Sequence, residues 1–298
     1  MKNFFLTVIF IFLICIPDNL LASREFIDQA GRKVIVPDKP ERVIALAPSI
    51  TEIIFAIGEQ HRLKGVTKFS DYPSDAARLP KVGSYVQLDI ERIIALKPDL
   101  CIGIKDGNPI ETVTRLESFK IPVYAVDPKN LQGVLDTVND ISILLNAEEK
   151  GSHIVNDMKS RINAVKKLSN TVSYRPKVFF QIGVSPIVSI GTDSFLHELI
   201  ITAGGQNVSE GKIPYPRFTV EQIIALEPDI IIITSMERGG LFEKAKEEWS
   251  YWKSIPAVKN NKIYVVDSNL FDRPTPRVLS GIELLFSIIH PELKLIEN

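Results

Sequence analysis

The spacing of apolar residues changes repeatedly along this chain, and each change marks an element. "REFIDQAGRKVIVPDKP", residues 24–40, alternates around a Gly turn and predicts a β-hairpin. "RVIAL" predicts a buried strand. In "APSITEIIFAIG", Ile50, Ile53, Ile54 and Ile57 fall at helical spacing before a stop at Gly58. A strand at "LKGVT" leads into "KFSDYPSDAARLPKVGSYVQL", a loop rich in turn residues and Tyr. A short helix over 90–96, ended before Pro98, then runs into the strand "LCIGI". "PIETVTRLESFK" and "IPVYAV" follow as helix and strand. Short apolar strands alternating with helices predict a parallel α/β sheet covered on both faces.

Over 131–168 the pattern becomes helical, with no Pro, two Gly and a break near Asn146. Such a segment serves as a rigid strut. Beyond it the α/β alternation restarts. "KVFFQIG" and "IVSIG" predict strands, and "DSFLHELIITAGG" a capped helix closed by Gly204-Gly205. "IYVVD" predicts a strand and "RVLSGIELLFSIIH" the final helix. The expected organisation is an N-terminal α/β lobe over 23–146, a connecting helix over 147–170 and a C-terminal α/β lobe over 171–298.

One phrase occurs in both halves. "IERIIALKPDLCI" (90–102) and "VEQIIALEPDIII" (220–232) share eight of thirteen positions at an offset of 130 residues. The repeat reads as one αβ step common to two similar lobes. Glu91 and Glu221 hold the same place in it, in the first turn of the helix, where a carboxylate complements the helix dipole. That local role accounts for either one alone. Two at matching places present paired negative charges to a partner carrying paired basic residues.

Composition narrows the class. At 298 residues, 45% hydrophobic and 24% charged, the chain is an ordinary globular protein of two modest domains or one large one. Its net charge of −1 offers no basic field for nucleic acid or an anionic membrane. At the N-terminus, Lys2 precedes an apolar run over 4–16, short for a membrane span and right for a signal-peptide core. Ala22 and Ser23 offer the cleavage point, so 1–22 reads as a signal peptide. Acylation at Cys15 and an uncleaved anchor are the rival readings, and all three imply export. After cleavage only Cys101 remains, in an apolar run that suits an inert thiol, so no internal disulfide is expected.

Two lobes on a strut create a cleft, and the loops beyond the carboxyl ends of strands are where it takes ligands. Those loops and their neighbours hold Phe69, Tyr72, Tyr85, Tyr215, Phe218 and Phe271, of which half are expected to pack under the loops instead. Arg217, Arg273 and Arg277 are placed for ligand carboxylates or phosphate, or for Asp272 and Glu283 nearby. No G-x-S-x-G, P-loop, H-E-x-x-H or G-x-G-x-x-G motif is present. The four His, at 61, 153, 197 and 290, stand far apart, which disfavours a zinc site.

The stretches "ERVIALAPSITEIIFAIG", "SDYPSDAARLPKVGSY", "LDIERIIALKPDLCIG", "GTDSFLHELIITAGGQNV" and "RPTPRVLSGIELLFSIIHPEL" resemble the periplasmic cobalamin-binding proteins of ABC importers. These belong to a wider group that also carries ferric siderophores and haem. The resemblance covers residues 25–293, with the motifs in family order. It implies two Rossmann-like lobes with parallel sheets joined by a single long helix, a shallow cleft and little closure on binding. It further implies that a Glu of each lobe, here Glu91 and Glu221, docks on arginines of a permease dimer served by ATPase subunits. Positions matching the family's ligand contacts are Pro48, Ser49, Phe69, Tyr85, Tyr215 and the stretch 269–273, with Asn269, Phe271 and Arg273. Where a well-known cobalamin binder has tryptophans, this chain has Tyr85, Ile104, Tyr215 and Leu270. Asn269 replaces an acidic residue that hydrogen-bonds the corrin edge. Cobalamin, cobinamide, haem and siderophores therefore stay open. The expectation is a monomeric periplasmic capture protein, not an enzyme, with no cofactor or metal site of its own. The rivals are a haem or siderophore carrier, a sensor docking on a membrane receptor, and an exported α/β enzyme.

Overall fold

The computed structural model describes residues 22–234 and 241–295. Apart from Ala22, the expected signal peptide, Cys15 included, lies outside the described residues. Among those described, no helix is long and apolar enough to cross a membrane.

Strands β1 (Ser23–Ile27) and β2 (Lys33–Pro37) form the predicted hairpin, turning at Gly31, whose φ of +79° favours a residue without Cβ. The first lobe continues through β3 (Val43–Ala45), α1 (Pro48–Ala56), β4 (Leu63–Val66), α2 (Ile90–Ala95), β5 (Leu100–Ile104), α3 (Ile110–Ser118) and β6 (Val123–Val126). Helices α4 (Leu131–Leu144) and α5 (Glu148–Ser169) lead to the second lobe. That lobe starts with β7 (Lys177–Gln181), β8 (Ile187–Val188), α6 (Phe195–Thr202), β9 (Gln206–Asn207), β10 (Arg217–Phe218) and α7 (Val220–Leu226). It ends with β11 (Ile230–Ile233), α8 (Leu241–Trp249), α9 (Pro256–Lys259), β12 (Ile263–Val265) and α10 (Val278–Ile289).

Each lobe holds a four-stranded parallel sheet, ordered β4-β3-β5-β6 in the first and β12-β11-β7-β9 in the second. Counted within its own sheet, each reads 2-1-3-4, so one topology is used twice. The strands are buried on both faces, which explains their unbroken apolar runs. In the first lobe, Val43, Ala45, Leu100 and Ile102 pack on Ile50, Ile53, Ile54 and Ile57, with α1 on that face. Ile44, Leu46 and Cys101 turn the other way, onto Ile93, Val113 and Leu116 of α2 and α3. The second lobe repeats the plan, with Phe180 and Ile232 facing α5, α6 and α10 and with Phe179 and Ile231 facing Ile223 and Trp249.

The long helix predicted over 147–170 is α5, and α4 shares the bridging with it. Leu131, Val134 and Leu135 of α4 sit in the second lobe's core, while Val138, Ile141 and Leu144 sit in the first's. Asn146, at φ +55°, makes the predicted break, a conformation that Asn tolerates better than most residues. Arg161 of α5 grips Glu283 of α10 through two bonds of 2.8 and 2.7 Å, which removes Glu283 as a partner for the loop arginines.

The structure accounts for the repeated phrase. Ile93 and Ile223 are fully buried, and Lys97 and Glu227 both take φ +49° to end their helices before the proline. The aspartate that follows ties its strand to the first strand of the same sheet. Asp99 accepts the amides of Glu41 and Arg42 at 2.8 and 3.0 Å, and Asp229 accepts that of Lys177 at 2.8 Å. One carboxylate thus sets the register of strand three against strand one in each lobe. "IVSIG" behaves differently from expectation, because only Ile187–Val188 is strand, and it pairs antiparallel with β10 outside the main sheet. The Ser189 hydroxyl instead donates to the Phe180 carbonyl at 2.7 Å and turns the chain inward. The edge position next to β7 goes to β9, two residues long and below the reach of any periodicity.

Candidate functional site

In a 2-1-3-4 sheet the connections leave in opposite directions between strands one and three, and ligands bind beyond the carboxyl ends at that switch. The cleft lies there. It encloses about 650 Å3 and draws on both lobes. The first lobe supplies Pro48 and Ser49 after β3, Phe69 after β4, Ile104 and Asp106 at the end of β5, and Tyr85 from the long loop. The second supplies Tyr215 before β10 and Ser268, Asn269, Asp272, Arg273 and Pro274 after β12.

The aromatic residues divide evenly. Phe69 (44% exposed), Tyr215 (61%) and the half-buried Tyr85 line the cleft. Tyr72 lies under Arg277, with the guanidinium carbon 3.9 Å from the ring centroid, and Phe218 packs edge-on against Phe179 at 5.6 Å. Phe271 corrects the sequence reading. The residue is 1% exposed, its ring meets Phe180 at 5.5 Å and it belongs to the second lobe's core, so it supports the cleft loop from beneath and is not among the described lining residues. Leu270 also packs on that core, whereas Ile104 lines the cleft.

Tyr85 is held by Asn108, which the sequence reading passed over. The Asn108 Nδ2 group donates to the carbonyls of Tyr85 (2.7 Å) and Leu46 (2.9 Å), and its Oδ1 accepts the Ile104 amide at 2.7 Å. One buried amide side chain therefore ties three cleft-forming segments of the first lobe together. On the opposite side, the amide nitrogens of Asn269, backbone and Nδ2, both donate to Asp267 Oδ1 at 2.9 Å.

The loop arginines find partners that no local pairing would propose. Arg273 lines the cleft, but its Nη1 donates to Glu52 of the other lobe at 2.7 Å. Its Nη2 donates to Asp71 and to the Phe69 carbonyl, each at 3.1 Å. Thr275 Oγ1 donates to the second Glu52 oxygen at 3.1 Å, and Arg277 Nη1 lies 3.5 Å from the first. The side chains of Glu52 and Arg273 are 2% and 10% exposed. Among the described residues Glu283 pairs with Arg161 instead, and Asp272 feels the Arg273 charge without forming an ion pair with it. These contacts form a buried ionic latch that joins the lobes at the base of the cleft.

Burial raises the Asp272 carboxyl from 3.8 to about 6, against the opposing pull of the Ser268 hydroxyl and the Arg273 charge. A carboxyl whose folded pKa lies above its unfolded one destabilises the fold when ionised, so the penalty acts above pH 6 and fades as pH falls toward 4. Asp272→Asn is expected to raise stability at pH 7.5 by about 1–3 kcal/mol and to change little at pH 4. Urea unfolding at the two pH values checks this, and equal effects at both would assign the change to packing.

Glu91 and Glu221 are exposed and outside the cleft lining. Each is the second residue of its helix, behind a side-chain cap from Asp89 or Thr219. Glu221's carboxyl is held below the usual carboxylate range by the free amide at the helix start and by Thr219. A crossover helix runs back against its strands, so both glutamates lie at the end of their sheets where the cleft opens. Cys101 is buried, and burial pushes its thiol up and keeps it protonated.

A cleft between two like lobes, walled by aromatic rings and rimmed by hydrogen-bonding groups, is the site of a bilobal ligand-capturing protein. The chain belongs to the periplasmic binding protein family, whose model matches residues 43–270. It is 33% identical over 246 residues to a vitamin B12-binding protein of Vibrio parahaemolyticus, covering 81% of this chain and 86% of the relative. The crystal structure of the periplasmic vitamin B12 binding protein of Vibrio cholerae superposes with a TM-score of 0.75 at 28% identity, covering 86% of this chain and 98% of that one. A periplasmic heme binding protein from Pseudomonas aeruginosa shares the fold, with a TM-score of 0.77 at 22% identity over 87% of this chain and 96% of that one. Membership implies work outside the cytoplasm.

Proposed function

We propose that this chain captures cobalamin or a related corrinoid in the inter-lobe cleft and delivers it to the permease of an ABC importer. The observation that carries the reading is the cleft itself, about 650 Å3 between lobes, with Phe69, Tyr85 and Tyr215 as apolar walls for a large ring. The likeness to vitamin B12-binding proteins supports the same ligand class. The metal arrives inside the ligand, so the protein needs no cofactor or metal site and performs no turnover. A leader over 1–22 exports the chain to the periplasm, where it works as a monomer. Glu91 and Glu221 then dock on paired basic residues of the permease dimer and its ATPase subunits follow with cleft opening.

Calorimetric titration of residues 23–298 with cyanocobalamin and then cobinamide tests the ligand. One-to-one binding is expected. Heat with haemin or a ferric siderophore and none with either corrinoid would move the assignment to the other branches of the family.

A further inference from the structure

The charges lining the cleft carry more information than its shape. Arg273 is the one cation among the described lining residues, and its two terminal nitrogens are already committed to Glu52, Asp71 and the Phe69 carbonyl. Against it stand two carboxylates that face the same space, Asp106 from the first lobe and Asp272 from the second. Among the described residues Asp106 pairs with Lys129 at 3.8 Å, which also lies 3.4 Å from Asp127. Lys68 sits beside the cleft, exposed, with its ammonium 5.6 Å from the Phe69 ring centroid. Ser268 and Asn269 complete the polar rim with neutral groups.

From this distribution we infer that the cleft selects its ligand by the charge of the ring's periphery, accepting a carboxamide edge and rejecting a carboxylate edge, with Asp106 and Asp272 as the selecting residues. The inference rests on the cleft being the ligand site and deepens that reading. A carboxamide NH2 brought to either aspartate forms a charge-assisted hydrogen bond. A carboxylate in the same place loses hydration, meets a like charge and finds no uncommitted cation among the described lining residues, so the exchange of one group for the other acts twice. A corrinoid carries amides on its rim, whereas haem and acidic iron chelates carry carboxylates. The discrimination therefore falls between the very ligand classes that the shared fold accommodates, and selectivity lives in two acidic side chains on opposite walls. Specificity of this kind works by making the wrong ligand costly as well as the right one favourable.

The test compares matched pairs at pH 7.5 on the chain 23–298. The first pair is cyanocobalamin and its monocarboxylic acids, in which one peripheral amide is hydrolysed. The second is haemin diamide and haemin. In whichever pair binds, the amide form is expected to bind about 10–100-fold more tightly for at least one rim position. The double variant Asp106→Asn/Asp272→Asn is expected to narrow that gap to within about threefold. An acid that binds as tightly as its amide at every position overturns the inference, with no need of the variant. A gap that the variant leaves unchanged removes Asp106 and Asp272 from the selecting role and overturns it as well. Binding of haemin diamide alone supports the charge rule while defeating the corrinoid assignment. No binding by either pair overturns both.

Discussion

Replacing Arg273 with alanine is expected to destabilise the protein by about 3–5 kcal/mol, a large fraction of the roughly 5–15 kcal/mol that holds a typical domain folded. The cost comes mainly from what remains. The Glu52 carboxylate is 2% exposed and would keep only Thr275 and the longer contact to Arg277, while Asp71 and the Phe69 carbonyl would each lose a donor. Removing one member of a buried pair leaves an uncompensated charge, which costs far more than the intact pair contributes. Urea unfolding followed by circular dichroism measures the loss. Adding Glu52→Gln to the Arg273→Ala background removes the stranded charge and should recover part of the stability, a coupling that a simple packing defect would not show. A loss below about 1 kcal/mol would mean that Arg277 already neutralises Glu52. Because the latch joins the lobes across the cleft, the variant should also bind ligand more weakly.

The second large effect is on transport. Reversing both charges, Glu91→Lys with Glu221→Lys, is expected to abolish delivery while leaving ligand affinity within about twofold. Both side chains are exposed and outside the cleft lining, each at the start of a helix whose other contacts the change leaves alone. Calorimetry on the purified variant and uptake by cells dependent on the transporter separate the two quantities. Equal loss of both would show that the glutamates stabilise their helices and nothing more. The second lobe is the more sensitive in that respect, because Thr219 and Gln222 there form a reciprocal capping box.

The repeat shows how a sequence pattern carries structure and function together. Ile93 with Ile223, and Asp99 with Asp229, are explained by burial and by the strand clasp. Glu91 and Glu221 are left over from that account, exposed at equal places in two lobes of one topology. Identity at buried or clasping positions has a cause within the fold, whereas the exposed pair has only its place in the first helical turn, so the transport test above is what decides whether a partner reads it.

Most elements were legible because their signals are local. Period-two and period-3.6 spacing, a Gly stop at Gly58 and Pro98 after a helix depend on neighbours a few residues away. The same held for the break at Asn146, where the backbone conformation is the signal. Loop aromatics were legible only as a group. Phe69, Tyr85 and Tyr215 face the cleft while Phe218 and Phe271 pack inward, and their flanking residues do not differ in any way that separates the two sets.

What needed the folded molecule was every relation between distant residues. Arg273 and Glu52 stand 221 positions apart, so nothing in the order of residues could set them against the nearer candidates Asp272 and Glu283. The same is true of the edge place taken by β9 and of Asn108 reaching two other loops. Apolar periodicity states which face of an element must leave water. It does not state which surface will cover that face, and a buried charge or amide is satisfied by whatever donor the packing of two lobes happens to bring within 3 Å.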